Sequence, residues 1–215
     1  MIYFNGHIHH QTANSCFVVN LTEKFDPNLS YFILGIHPWH IEDHDLNLLT
    51  SLIKKYKDHQ NFAGIGEIGI DRSIKSPLLK QIEYFTSQVK LAKEIGIQCL
   101  TIHSVRAHSD IMNILKKENY TGSLLIHDYR SNIETYDQYQ KNWNTYLSFG
   151  KSLINSTKSE KLFPKINKNK IILETDDDKD LCISKVYNKA TQLLSMNNNR
   201  LNMITTQNFQ DFLHR

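Results

Sequence analysis

Apolar positions along this chain gather into short continuous runs, most of them ending on a histidine or an acid. Residues 2–9 form the first run and end in Gly6-His7-Ile8-His9-His10. Cys16 to Leu21 follows, with β-branched Val18 and Val19, and then Tyr31-Phe32-Ile33-Leu34-Gly35-Ile36, which stops at His37-Pro38. Further runs cover Phe62 to Ile68, Ile97 to Ile102, Ser123 to Ile126, Thr145 to Phe149 and Lys170 to Thr175. Near-continuous apolar strands are what a parallel sheet covered on both faces requires. Between these runs the period becomes helical. Leu46, Leu49, Ile53 and Tyr56 share one face of a helix predicted over 46–56. Leu78, Ile82, Phe85, Val89 and Ala92 do the same in the next helix. There Ser76-Pro77 reads as the N-cap and first helical residue, and Gly96 as the terminating glycine. Helices are also expected near 108–118, 133–140, 156–161, 181–195 and 206–213.

Eight strands, most separated by helices and with no Pro- or Gly-rich linker, define the fold class as α/β. They predict one domain over residues 1–215, folded as a (β/α)8 TIM-like barrel. The length is near the lower limit for that fold. The first two connections are too short for helices, so the barrel is expected to be compact and distorted near strands 1–3. An open doubly wound sheet is disfavoured because no phosphate-binding glycine fingerprint follows the first strand. The formal net charge of +3 permits a nucleic-acid partner without pointing to one, since no Lys/Arg block stands out. The 3 cysteines, Cys16, Cys99 and Cys182, are far apart and form no metal or redox motif, as in a reducing compartment. Met1-Ile2-Tyr3-Phe4 carries no signal-peptide pattern, and no apolar run approaches membrane-spanning length. The expectation is a cytoplasmic protein with no membrane partner.

Strand ends carry the candidate chemistry: His7 and His9, His37, Glu67, His103, His127 and Asp176. In a (β/α)8 barrel these ends converge on one face, where the active site sits. Each has an ordinary reading alone. His7 and His9 could be a solvated strand end, His37 a turn residue, His103 and His127 hydrogen-bonded core histidines, and Asp176 a helix cap. As a set they point to metal binding, because imidazole and carboxylate donors without sulfur suit Zn, Mn, Fe, Co or Mg. Glu67 lies between small and apolar neighbours, where a carboxylate is costly unless paired or bound to a cation. A central carboxylate between two groups of nitrogen ligands can bridge two ions, which activates a water and clamps a phosphate. His40, His44, His59, His108 and His214 read as solvated, and His10 points away from His9.

The pieces His7-Ile8-His9, Gly35-Ile36-His37-Pro38, Gly66-Glu67-Ile68-Gly69-Ile70-Asp71, Ile102-His103-Ser104, His127 and Leu173-Glu174-Thr175-Asp176 occur in order along nearly the whole chain. Together with the Gln81, Phe85 and Gln88 helix pattern and Asn208-Phe209, they resemble the TatD family of metal-dependent deoxyribonucleases, within the amidohydrolase superfamily. The likeness is to its compact bacterial branch. It implies two divalent metal ions (Zn, Mn or Mg), one held by His7, His9, Glu67 and Asp176 and the other by Glu67, His103 and His127. Glu67 would bridge them together with a water, Asp176 would orient or deprotonate that water, and His37 would contact the scissile phosphate. Arg106 and Arg130 are candidate phosphate contacts, and Trp39 a surface for stacking a base. The implied reaction is phosphodiester hydrolysis, as a DNA exonuclease acting at a 3′ end, with single-stranded DNA or 3′ ends as partner. Alternatives on the same metals are a hydrolase of an amide, a lactone or a misacylated-tRNA ester, or a subunit of a multi-protein phage-defence assembly. The chain departs from the family in carrying Asn5 where an Asp is usual, in His127-Asp128-Tyr129-Arg130-Ser131, and in a short stretch between His9 and His37.

Overall fold

The structure is a computed structural model that describes residues 2–214. Met1 and Arg215, the ends of the expected domain, lie outside the described residues. Eight strands form one sheet: β1 (Asn5–Ile8), β2 (Ser15–Val18), β3 (Tyr31–Leu34), β4 (Phe62–Asp71), β5 (Cys99–Val105), β6 (Ser123–Ile126), β7 (Thr145–Phe149) and β8 (Ile171–Leu173). Each pairs in parallel with the next in sequence. The sheet curls until its edges meet. Just beyond β8, the Asp176 amide donates to the His7 carbonyl at 3.1 Å, and the His9 amide donates to the Asp176 carbonyl at 3.2 Å. The seam of a (β/α)8 barrel is therefore closed by three of the residues singled out for chemistry.

The helices are α1 (Leu46–Tyr56), α2 (Leu78–Glu94), α3 (His108–Lys117), α4 (Ile133–Gln140), α5 (Lys151–Asn155), α6 (Thr157–Leu162), α7 (Ile183–Leu194) and α8 (Asn198–Phe212). Among the described residues no helix joins β1 to β2 or β2 to β3, as the short connections predict. At the strand starts, Phe209 and Phe212 of α8 pack with Phe4, Ile33, Cys99, Leu125 and Ile172. This apolar plug leaves the opposite, C-terminal ends of the strands as the open face. On that face α2 uses two buried amides as clamps. Gln81 Oε1 accepts from the Asp71 amide at 2.8 Å and its Nε2 donates back to the Asp71 carbonyl. Gln88 treats the backbone of Ile36 in the same way, at 2.7 and 3.1 Å. Each glutamine replaces a missing strand partner, so the chain ends leading to Asp71 and His37 are held without unpaired backbone groups.

Several elements differ in detail from the sequence expectation. β4 continues past Ile68 to Asp71 because Gly69 lets β5 approach: a Cβ there would meet the His103 carbonyl oxygen at 1.8 Å. Ser76 does not cap α2. Pro77 takes that place, and Gln81 Nε2 donates back to the Ser76 carbonyl at 3.0 Å. Helix α8 starts at Asn198, ahead of Thr206, because the Asn197 side chain caps it by accepting from the Arg200 amide at 2.8 Å. The short α5 falls between the strand ending at Phe149 and the helix expected from Ser156, where the sequence predicts no element.

Candidate metal centre

Glu67 stands at the centre of the open face and is buried. It projects from β4 between residues that leave room for it. A Cβ on Gly66 would meet Thr101 Cβ at 2.7 Å, so the strands can pack closely there only with glycine. The two carboxylate oxygens face different groups of imidazoles. Oε2 lies 3.0 Å from His7 Nε2 and 3.1 Å from His9 Nε2. Oε1 lies 2.7 Å from His127 Nε2, 2.8 Å from His103 Nδ1 and 3.1 Å from His37 Nε2. Asp176 Oδ1 adds a second carboxylate, 3.2 Å from His9 and 3.7 Å from His7. All seven strand-end residues thus meet in one cluster. Two sets of donor atoms, His7-Glu67-His127-Asp176 and His37-Glu67-His103, each lie within 4.8 Å of one another, a spacing that can enclose a cation. His127 sits between the sets expected from sequence, its ring 4.6 Å from that of His7 and 5.2 Å from that of His103.

The surroundings decide which nitrogens present lone pairs. His103 Nε2 lies 3.2 Å from Asp71 Oδ2, which fixes the proton there and turns Nδ1 toward Glu67. His127 Nδ1 faces buried Glu174 at 3.5 Å, leaving Nε2 for the centre. This carboxylate–imidazole pattern is the one that orients metal ligands, and the nitrogen and oxygen donor set fits a divalent ion. His37 is oriented differently. Its Nδ1 accepts from the Trp39 amide at 3.2 Å, so Nε2 carries the proton and is a donor.

Charge in the cluster is tightly coupled. Burial alone would raise the Glu67 pKa, but His127, His37, His7 and His103 together bring it well below the ordinary value. Asp176 and Asp71 are likewise lowered against burial, by His9 and by His103 and Ser73 respectively. Burial works against charge on His9 too, yet Asp176 and Glu67 push its pKa up to about 10. His103 and His127 are raised by their carboxylates against the same burial. His37 is lowered, because its burial outweighs Glu67. Binding divalent ions to imidazoles and carboxylates of this kind releases protons.

Two of the residues that matter here, Asp71 and Glu174, sat inside motifs read from the sequence without being given a role. Asp71 accepts from Trp39 Nε1 at 2.8 Å and from Ser73 as well as facing His103. Asn5, the family's usual Asp, exchanges two hydrogen bonds with Thr175 at 2.8 and 3.1 Å. Asp176 does not cap a helix, since the next one begins after Cys182. Trp39 is 54 % exposed and lines both cavities that open on the cluster. Arg106 and Arg130 lie on the wall of the second cavity, where Arg130 is paired with Asp128. His108, expected to be solvated, is instead packed in that wall with its Nδ1 3.0 Å from Ser104 Oγ and 3.3 Å from Tyr139 Oη. Burial pushes its pKa down to about 4.

A parallel barrel with a buried histidine–carboxylate cluster at its C-terminal face defines a metal-dependent hydrolase of the amidohydrolase-like kind. Residues 8–214 match the model of the family described as TatD related DNase, and the chain belongs to that family. No curated protein matches it by sequence. Among solved structures it is similar to YJJV, a TatD homolog from Escherichia coli K12, with 17% identity and a TM-score of 0.78, covering 94% of this chain and 86% of that one. It is also similar to a hydrolase TatD family protein from Entamoeba histolytica (14% identity, TM-score 0.74, 85% and 74% covered). An uncharacterized amidohydrolase from Saccharomyces cerevisiae gives 14% identity and a TM-score of 0.70, with 85% and 80% covered. No helix among the described residues is long and apolar enough to cross a membrane.

Proposed function

We propose that this protein is a phosphodiesterase working with two divalent metal ions, a cytoplasmic single-domain DNA exonuclease that removes nucleotides from a 3′ end. The observation that carries this reading is the two-sided placement of Glu67, with one oxygen toward His7 and His9 and the other toward His103 and His127. His7, His9, Glu67 and Asp176 would hold one ion, and Glu67, His103 and His127 the other. When bound, Zn, Mn or Mg at such a pair stabilises both the attacking and the leaving oxygen and makes a nucleophile available at neutral pH.

The chain's own groups do the rest. Asp176 is the more open of the two cluster carboxylates, 26% exposed against 1% for Glu67, and takes up the proton of the attacking water. His37 directs its Nε2–H at a non-bridging oxygen of the scissile phosphate, a role its Trp39-fixed tautomer suits. Trp39 stacks on a base. Arg106 contacts phosphate at the rim, and Arg130 does so only where a phosphate takes the place of Asp128. The family membership supports a nucleic-acid substrate.

The test uses single-stranded DNA labelled at its 5′ end, incubated with the protein and Mn. A ladder shortening from the 3′ end, absent with Glu67→Ala, is expected. Intact DNA alongside turnover of a lactone, amide or misacylated-tRNA ester would replace phosphodiester hydrolysis by that other chemistry.

A further inference from the structure

Two cavities open on the cluster, and they differ in charge. The first, about 470 Å³, runs past Val18, Val19 and Leu21, with Glu23 and Asp43 on its rim and no Lys or Arg in its lining. The second, about 650 Å³, is walled by Arg106, His108, Arg130, Lys151 and Lys158. Two of its four cations are already committed. Arg130 pairs with Asp128, and Lys151 with Asp178 at 2.9 Å. Lys158 Nζ donates only to the Arg130 carbonyl, at 3.0 Å, and the Arg106 guanidinium has no protein partner among the described residues. Of the five aspartates in the same wall, Asp71, Asp128, Asp176 and Asp178 have partners of their own, and Asp177 is exposed where the two cavities meet.

His108 completes the wall as a neutral group. Burial first, and then the nearby Lys158, hold its pKa down at about 4. Its Nδ1 lies 3.0 Å from Ser104 Oγ and 3.3 Å from Tyr139 Oη, and its Nε2 has no protein partner among the described residues. The cavity therefore offers two uncommitted cations and a neutral imidazole, beside a cluster that itself needs only one phosphate.

We propose that this second cavity is a subsite for another phosphate of the substrate, the one next along the strand from the phosphate that reacts. Arg106 and Lys158 receive it beside the neutral His108, while the uncharged nucleoside enters the first cavity. The inference rests on the phosphodiesterase reading and narrows its substrate to strands carrying at least two phosphates. A simple diester with one phosphate leaves this wall without its ligand.

The probes are trithymidylates with two phosphorothioate linkages, and the same molecules with either linkage replaced by a neutral methylphosphonate. Calorimetry with wild type is expected to show about tenfold weaker binding when the flanking linkage is neutral, close to one charge-assisted contact (about 1.4 kcal/mol). In an Arg106→Gln/Lys158→Gln protein, both changes being at exposed positions, that penalty should vanish for one linkage and persist for the other. Equal penalties in wild type and double variant, for both linkages, would overturn the subsite. Hydrolysis of bis(p-nitrophenyl) phosphate and of labelled DNA is measured in parallel. Wild type that turns over neither, yet shows the linkage-dependent binding, would overturn the phosphodiesterase reading and leave the subsite standing.

Discussion

Asp71→Asn isolates the carboxylate behind the metal centre with almost no change of shape. The side chain of Asp71 is buried and receives four donors on two oxygens. Oδ1 accepts from the Ser73 amide at 2.8 Å and from Ser73 Oγ, and Oδ2 from Trp39 Nε1 at 2.8 Å, with His103 Nε2 at 3.2 Å. An asparagine has only one acceptor oxygen. Whichever way it turns, its amide nitrogen faces N–H groups, either the Ser73 amide or the indole and imidazole. Losing a charge-assisted bond and leaving its donor buried costs about 2–4 kcal/mol. For a chain of this size that lowers the melting temperature by roughly 4–16 °C. The loss should appear in metal-free protein, where no ion contributes. Because the Asp71 pKa is held below its ordinary value, its contribution is present at neutral pH and lost as the pH falls through the folded value. The difference between wild type and variant should shrink in acid accordingly. Metal affinity, measured by competition with a chelating dye, should fall about 10–100-fold, since His103 loses the group that fixes its tautomer. A variant that melts within about 1 °C of wild type and binds metal as tightly would refute the role given to Asp71.

Gly69→Ala should be severely destabilising, by about 3 kcal/mol or more in denaturant titration, because its Cβ would collide with the His103 carbonyl at 1.8 Å. Stability should fall between pH 6.5 and about 4 as the unfolded chain protonates His108 while the folded chain does not. That contribution, roughly 3 kcal/mol from the shift, should be absent in His108→Gln when the two pH profiles of urea unfolding are compared. Trp39 is exposed and Trp143 buried, so single-stranded DNA should quench the fluorescence of Trp39 alone, and Trp39→Ala should abolish the signal and weaken binding by about 1–3 kcal/mol.

Most of the barrel is legible in the chain because parallel strands, covered on both faces, must be apolar at successive positions, as in Tyr31-Phe32-Ile33-Leu34. The seven cluster residues are legible for a related reason: each is a histidine or acid at or near the end of an apolar run. Asp71 escaped because Gly69 breaks the apolar pattern two residues earlier, although the missing Cβ is what allows β4 to continue. Glu174 follows Leu173 and precedes Thr175, and nothing in that order tells that it turns back toward His127. His108 opens α3, whose inward face reads as Ile111 and Leu115; its packing against Tyr129 and Tyr139 depends on neighbouring segments brought in only by the fold. The capping role of Asn197 was hidden in an asparagine-rich stretch that reads equally well as loop.

The central claim is that Glu67 joins two cation sites, and metal content tests it most directly. Protein purified without chelator, analysed for its elements beside Glu67→Ala, should carry about two divalent ions per chain, with both lost or sharply reduced in the variant. One ion per chain would leave a mononuclear hydrolase and remove the bridging role. No ion, even after addition of Mn or Zn, would contradict the account, and the histidines around Glu67 would then be only its charge partners.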